Sequence, residues 1–569
     1  MKGMTTFQLV LTGVFAVFIL VGVAFFALFR GGGSSGTVSN VTVWGFIPSS
    51  QFTSLLDVTG VADNDSLRVT YIEARPETFD QDFIEALASD KSPDLIMLPM
   101  DSLIRHRNKL FPIPYTSYPE RTFIDNFIEE GRLFLSDDGV LALPYLVDPL
   151  VMYWNRTMFS NAGLTVPPKY WSEFFNLTKI FVEKDPAFNI TQSAIAFGEY
   201  QNVTNAKEIL SALIMQAGSP VTTRTGKTIR SALGDTFSQP VVPAEAVVNY
   251  YTEFSNPVKS FYSWNRSLPE SKDYFISGDL AVYFGFASEL DSINAKNPNL
   301  NFDVAVIPQS EGGAETITYG KMIGLAIPRA AKSPTGALIL ANILTGPDAI
   351  QELSLMVGLP PVRNDLLKAR PSDQFLAIFY DSTVWSRAWL DPDKKETDNI
   401  FKKMVEDITS GRKRVSASVQ DASSSLQKLL SNVSIEFITM KTLFISAFII
   451  MLIVAVPVYG QGSGLIPCGI DNNNDGVVSG DEECGFDDLV KLGINVVNFL
   501  TGFSILLAVV GFIVAGFIIL TAGPNPGKVQ KGKDLLLSVG KGLFFVLAAW
   551  LIVNTITAAL FDAGFTLVK

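Results

Sequence analysis

The 569 residues are too many for a single hydrophobic core, so two or more domains are expected. A net charge of −12 and a pI near 4.8 leave no basic footprint for nucleic acid, and a single histidine excludes a multi-histidine zinc site. Mean hydropathy is +0.28, high for a soluble protein, which points to membrane segments.

Residues Phe7 to Phe29 are almost wholly apolar, with Lys2 before them and Arg30 after. That length spans a bilayer, and no small-x-small cleavage site follows, so residues 1–30 read as an uncleaved anchor. Gly31-Gly-Gly-Ser-Ser-Gly36 then forms a flexible tether, residues 31–40, to a body outside the membrane.

The body covers residues 41–432. Apolar strand patterns such as Val41-Thr-Val-Trp-Gly45, Asp94-Leu-Ile-Met-Leu-Pro99 and Phe302-Asp-Val-Ala-Val-Ile-Pro308 alternate with helical stretches at 206–217, 243–254 and 336–344. Pro243 and Pro347 sit where helices start. Alternation of this kind argues for an α/β fold with a largely parallel sheet, and its length argues for two lobes. Two amphipathic helices, 397–408 and 416–430, close the body; Ile400, Met404 and Ile408 form a core stripe. His106, within Arg105-His-Arg107, reads as a solvated surface residue. There is no P-loop, no GxGxxG after a strand and no nucleophile elbow, so no enzyme signature emerges.

Ordered motifs along the body carry a resemblance. They are Val41-Thr-Val-Trp-Gly45, Pro93-Asp-Leu-Ile-Met-Leu-Pro-Met-Asp101, Leu143-Pro-Tyr-Leu-Val-Asp148 with Val151-Met-Tyr-Trp-Asn155, Pro167-Pro-Lys-Tyr-Trp171, Phe275-Ile-Ser-Gly-Asp-Leu-Ala-Val-Tyr-Phe-Gly285 and Asn297-Pro-Asn-Leu-Asn-Phe302. Together they resemble the family 1 extracellular solute-binding proteins, the maltose-type receptors of ABC importers. The resemblance implies a two-lobed periplasmic-binding-protein fold (type II), a hinge, a carbohydrate in the cleft and ABC permease subunits as partners. By position, Trp44, Asp101, Asp148, Tyr200 and Phe286 would face the cleft, with Trp264 and Tyr319 as further aromatics from their loop settings. Each aromatic has core packing as its alternative, and Trp154 and Trp171 are expected to be structural.

Residues 439–460 are a second apolar stretch, from Met440 and Lys441 to Val458 and Gly460. It reads either as a membrane span or as a secretory signal with Gln461 as the mature start. Between Cys468 and Cys484, Asp471-Asn-Asn473-Asn-Asp475-Gly476-Val-Val-Ser479-Gly-Asp-Glu482 satisfies D-x-[DN]-x-[DN]-G-x5-E. Oxygens of Asp471, Asn473, Asp475 and Glu482, the Val477 carbonyl and a water on Ser479 would hold Ca2+, with a Cys468–Cys484 disulfide closing the loop, residues 461–490. The alternative is an acidic Asn/Gly-rich turn.

Residues 491–569 hold two more apolar spans, about 496–521 and 543–561, separated by a basic loop with Lys528, Lys531 and Lys533, and Lys541 beyond. The positive-inside rule places that loop in the cytoplasm, giving an all-α transmembrane hairpin. Cys484-Gly-Phe-Asp-Asp-Leu-Val490, Asn495-Val-Val-Asn-Phe-Leu500, Ala522-Gly-Pro-Asn-Pro-Gly-Lys528 and Ala548-Ala-Trp-Leu-Ile-Val-Asn-Thr-Ile556 resemble the major pilins of type IV secretion and conjugation systems. That resemblance implies self-assembly into a filament, with the basic loop lining its lumen against lipid headgroups.

Span parity ties the parts together. With the body outside, a true span at 440–460 would put the cysteines and the calcium-like loop in the cytosol and the basic loop outside. A cut after Gly460 avoids both conflicts. The expectation is therefore two exported proteins in one sequence, an anchored receptor and a pilin precursor, either a processed fusion or adjacent genes read as one.

Overall fold

The computed structural model describes residues 39–313, 315–431, 486–520 and 526–561. The anchor, most of the tether, the stretch 440–460 and the calcium-like loop with Cys468 and Cys484 lie outside the described residues. The chain divides into two compact units between residues 437 and 438.

The first unit is built on strands β1 (Ser39–Gly45), β2 (Leu67–Glu73), β3 (Leu95–Pro99), β4 (Leu143–Asn155), β5 (Ile190–Ile195), β6 (Leu280–Phe286), β7 (Phe302–Ala305) and β8 (Thr318–Ala326). Their order is β2-β1-β3-β8-β4-β6-β5, with β7 also on β4. β3 is an unbroken buried run, Leu95 to Leu98, because the sheet is covered on both faces there. Its register is fixed by Asp94, whose carboxylate accepts from Thr42 N (2.9 Å), Lys332 N (2.7 Å) and Ser333 N (2.8 Å).

β4 is long enough to serve two lobes. Its first half pairs antiparallel with β8, and its second half pairs with β6 and β7. The apolar core changes hands along it. One cluster runs through Val147 and resumes at Met322, and the other runs from Leu150 to Tyr319 and on through the helices to Leu430. Asp148-Pro149 and Gly320-Lys321 are the crossing, paired Gly320 to Pro149 and Lys321 to Asp148. The two-lobed α/β architecture expected from the sequence forms, but the sheet is mixed rather than largely parallel, because β6, β7 and β8 all run antiparallel to β4.

The helices follow their local chemistry. Pro243, Pro334 and Pro347 stand at the first turn of their helices, where a missing N–H costs nothing. Helix Lys394–Thr409 starts on Asp393, whose Oδ1 accepts from Lys395 N and Glu396 N, both at 3.1 Å. The last helix of the unit spans 415–431. Trp154 and Trp171 are buried, as expected.

His106 corrects the sequence reading. It is fully buried rather than solvated: Phe79 and Phe83 pack edge-on against its ring, and Nε2 lies 2.6 Å from Asp80 Oδ1. The neighbouring arginines are basic, but the helix Leu103–His106 turns this side chain inward.

The second unit is a pair of helices, Phe486–Leu520 and Pro526–Phe561. Within them Leu492–Gly516 and Lys533–Val553 are long and apolar enough to cross a membrane. They run antiparallel: Asn498 meets Trp550 (Oδ1 to Nε1, 2.9 Å), and Gly511 lies under Val539, where a Cβ would come within 2.7 Å of Cγ2. A second correction follows. Lys528, Lys531, Lys533 and Lys541 stand on the helix that begins at Pro526, not in a loop, because proline at the first helical position starts the helix upstream of the charges.

Candidate ligand site

Strand direction locates the site. β3 and β4 both run antiparallel to β8, so the carboxyl end of β3 points toward the second lobe. β6 runs antiparallel to β4 and parallel to β5, so the carboxyl ends of β5 and β6 point back toward the first. Ligands of open α/β sheets bind outside the carboxyl ends of strands, and here both sets converge on the crossing.

At the second lobe's side lies a polar cavity of ≈ 270 Å³. Its wall comes from the turn after β5 (Tyr200, Gln201), the start of helix Ala206–Gln216 (Asn205, Lys207, Glu208) and one face of helix Lys394–Thr409 (Asp398, Lys402). Tyr200 donates its hydroxyl to Asp398 Oδ1 at 2.6 Å. Burial, and then this carboxylate acceptor, push the Tyr200 hydroxyl far above the usual tyrosine range. Lys207 is buried and paired with buried Asp391 (3.0 Å), and it also donates to Thr397 Oγ1 and the Lys394 carbonyl. The cavity thus offers a buried aromatic hydroxyl, two carboxylates, two ammonium groups and two amides.

The first lobe reaches toward this wall. Asp101, just past β3, holds Lys394 at 3.0 Å, and Arg105 lies 3.5 Å from Asp393. The Asp101 carboxylate beside Lys394 raises the ammonium pKa. At the crossing, Asp148 accepts from Ser288 N (3.0 Å); burial pushes its carboxyl up to about 6. Lys321 places its ammonium 3.5 Å from the centre of the Phe286 ring.

The residues expected from sequence are therefore distributed as follows. Tyr200 lines the cavity, Asp101 lies outside its lining and pairs with Lys394, and Asp148, Phe286 and Tyr319 cluster at the crossing, where Phe286 and Tyr319 meet edge to face. Trp44 is half-buried at the end of β1. Trp264 lies in the second lobe's core, its indole N–H donating to Asn202 Oδ1 at 3.2 Å and its ring against Tyr274. Sequence reading missed Lys207, Glu208, Lys394, Asp398 and Lys402. The one local signal is the i, i+4 spacing of Asp398 and Lys402, which puts both on one helix face.

A family model for bacterial extracellular solute-binding proteins matches residues 61–375, more than half of the chain. The chain belongs to this family. A curated relative, the sn-glycerol-3-phosphate-binding periplasmic protein UgpB of Rhizobium meliloti (strain 1021), is 23% identical over 232 residues, 40% of this chain and 50% of the relative. The chain spans about half the length of that relative. Among solved structures, the cyclic alpha-maltosyl-1,6-maltose binding protein of Arthrobacter globiformis is similar with a TM-score of 0.58 at 16% identity, over 69% of this chain and 100% of that one. The extracellular solute-binding protein of Staphylococcus aureus in complex with maltose gives 0.56 at 12%, over 70% and 98%. At these identities the likeness shows the fold. Residues 486–556 match the type IV secretion system pilin model, so the solute-binding body is joined to a pilin-like hairpin.

Proposed function

We propose that the body is a membrane-held receptor that captures a carbohydrate between its lobes and passes it to the permease of an ABC importer. The observation that carries this reading is the polar, aromatic-edged cavity at the convergent strand ends, whose hydroxyl, amide and carboxylate groups suit a ligand rich in hydroxyls. The names of the relatives add support: two are receptors of maltose-type sugars and one binds a polyol phosphate. Melting of the full chain in detergent against maltose, maltotriose, mannobiose and glycerol-3-phosphate tests it. A bound ligand at a hundredfold its Kd stabilises the native state by about 2.7 kcal/mol. No shift with any neutral sugar would sink the carbohydrate reading.

The pilin match favours a second reading, in which the hairpin self-assembles with lipid into a filament and the body decorates it as an adhesive or sensing module. In both readings the body stands on the extracytoplasmic side and chemistry plays no part. We further propose that Asp471, Asn473, Asp475, Val477, Ser479 and Glu482 bind Ca2+ within a loop closed by Cys468 and Cys484. Calorimetric titration of Ca2+ into the full chain is expected to show one site that Asp475→Ala with Glu482→Ala removes; equal heats from both proteins would reject it.

A further inference from the structure

The crossing between the lobes contains a buried carboxyl group with no hydrogen-bond donor among the described residues. Glu129 and Glu130 are adjacent at the start of the 3-10 turn Glu129–Phe134 of the first lobe, and they are treated differently. Glu129 pairs with Arg387 at 2.9 Å. Glu130 is 2% exposed, and neither of its oxygens has a hydrogen-bond partner among the described residues. Its carboxyl lies against Gly320, where any added Cβ would collide with Oε2 and would also crowd the Cβ of Ser386. Gly320 is the hinge residue that faces Pro149, and Ser386 pairs with Thr318 on the second-lobe end of β8. A first-lobe carboxyl is thus pressed into the hinge ladder from the face opposite Lys321 and Asp148.

We propose that Glu130 is a proton-linked wedge in the hinge, protonated in the bridged arrangement of the lobes and ionised when hinge motion admits water, so that opening releases one proton. The proposal rests on the two-lobed fold and not on the identity of the solute. In this proposal, hinge motion at the Gly320–Pro149 crossing would also draw the Glu130 carboxyl away from Gly320. A carboxylate with no donor is strongly disfavoured in a dry site and ordinary in a wet one.

The charged and titratable groups around it support this balance. Among the described residues Arg387 is the cation acting on it, and that guanidinium already serves Glu129 and lies 3.9 Å from Glu315. Tyr319, from β8, is itself pushed far up by burial and carries no charge, and Glu130 adds to that shift. Burial raises the Glu130 carboxyl from 4.5 to about 8, with Arg387 opposing. The sign is the reverse of the usual paired carboxylate. The bridged form binds the extra proton, so it is fully favoured below the solvated value of 4.5 and loses ground as pH rises toward 8.

Hydrogen exchange of the full chain in detergent tests the wedge, with native protein and Glu130→Gln compared across that range so that intrinsic exchange chemistry cancels. In segments 128–134, 318–322 and 384–388 the native-to-variant ratio is expected to climb by up to about tenfold per pH unit between about pH 5 and pH 8. In core strand β3 it is expected to stay flat. A flat ratio in the hinge segments overturns the proposal. A rise equal in β3 also overturns it, because Glu130 would then act on global stability alone. If the variant does not fold, the hinge-to-β3 ratio within the native chain decides by the same criteria. Loss of all solute binding in the melting panel would leave this result untouched, so the two failures are separable.

Discussion

Helix Ala206–Gln216 of the body and helix Phe486–Leu520 of the hairpin are both rich in apolar residues, yet their side chains meet different surroundings. In the first, every residue except Glu208 is buried by protein. Its polar residues are each satisfied inside: Lys207 by Asp391, Ser211 by the Trp389 indole at 3.1 Å, and Gln216 by the Trp171 indole and two carbonyls. In the hairpin, large apolar side chains point outward; Phe544 is 68% and Phe545 70% exposed, and none of the Lys533–Val553 window is buried. The helices approach closely at Gly511, beside Val539, and the small residues Ala508 and Ala515 on the same helix are buried. Composition alone does not say where an apolar helix goes. A core supplies apolar neighbours from the same chain, whereas a helix with its large residues outside needs a lipid solvent.

The largest break in that comparison is covalent. If 440–460 is a signal, the two kinds of helix never share a mature polypeptide. Antibodies to each part are expected to find two products in cells. A single band at the full 62.0 kDa would defeat cleavage after Gly460.

The next effect lies within the body. Lys207→Met leaves Asp391 buried without its partner, which costs roughly 3–5 kcal/mol. Lys207→Met with Asp391→Leu is expected to recover most of that, since a buried pair replaced by apolar groups is often neutral. Six of the seven tryptophans precede residue 432, so fluorescence-detected denaturation reads this unit. Equal losses for the single and double variants would show that packing, not the orphaned charge, sets the cost.

Legibility divided along physical lines. The β3 run from Asp94 to Pro99, the proline-started helices and the apolar hairpin spans are local patterns, and the sequence carries them openly. The crossing is not local. Lys321 faces Asp148 only because β8 returns to β4 after more than 160 residues, and no pattern near either residue announces it. The same holds for the cavity: Lys207 is one lysine in an apolar helix, and its partner Asp391 arrives from 184 positions away. Trp264, chosen from its loop setting, was drawn into the core because Asn202 satisfies its indole. His106 is likewise buried with its Nε2 against the half-buried Asp80 carboxylate. In each case a distant polar partner decided the position of a side chain whose sequence neighbours pointed elsewhere.

The smallest expected effect tests the hairpin's own rule. In the body, buried Lys207 and Gln216 are each held by several partners; in the hairpin, the Trp550 indole N–H has Asn498 Oδ1 at 2.9 Å. Between membrane helices such bonds average only about 0.6 kcal/mol and reach about 1.7, because the separated helices also find partners. Asn498→Leu keeps the branched shape and removes the acceptor. Trp550→Phe removes the donor, and the double variant closes the cycle. Unfolding of the full chain in bicelles is expected to give a coupling below about 1 kcal/mol. A coupling of several kcal/mol would mean that water is excluded here as strictly as around Lys207 and Asp391, and the contrast between the two units would fail. A coupling of zero would leave antiparallel register to the close approach of Gly511 and Val539 alone.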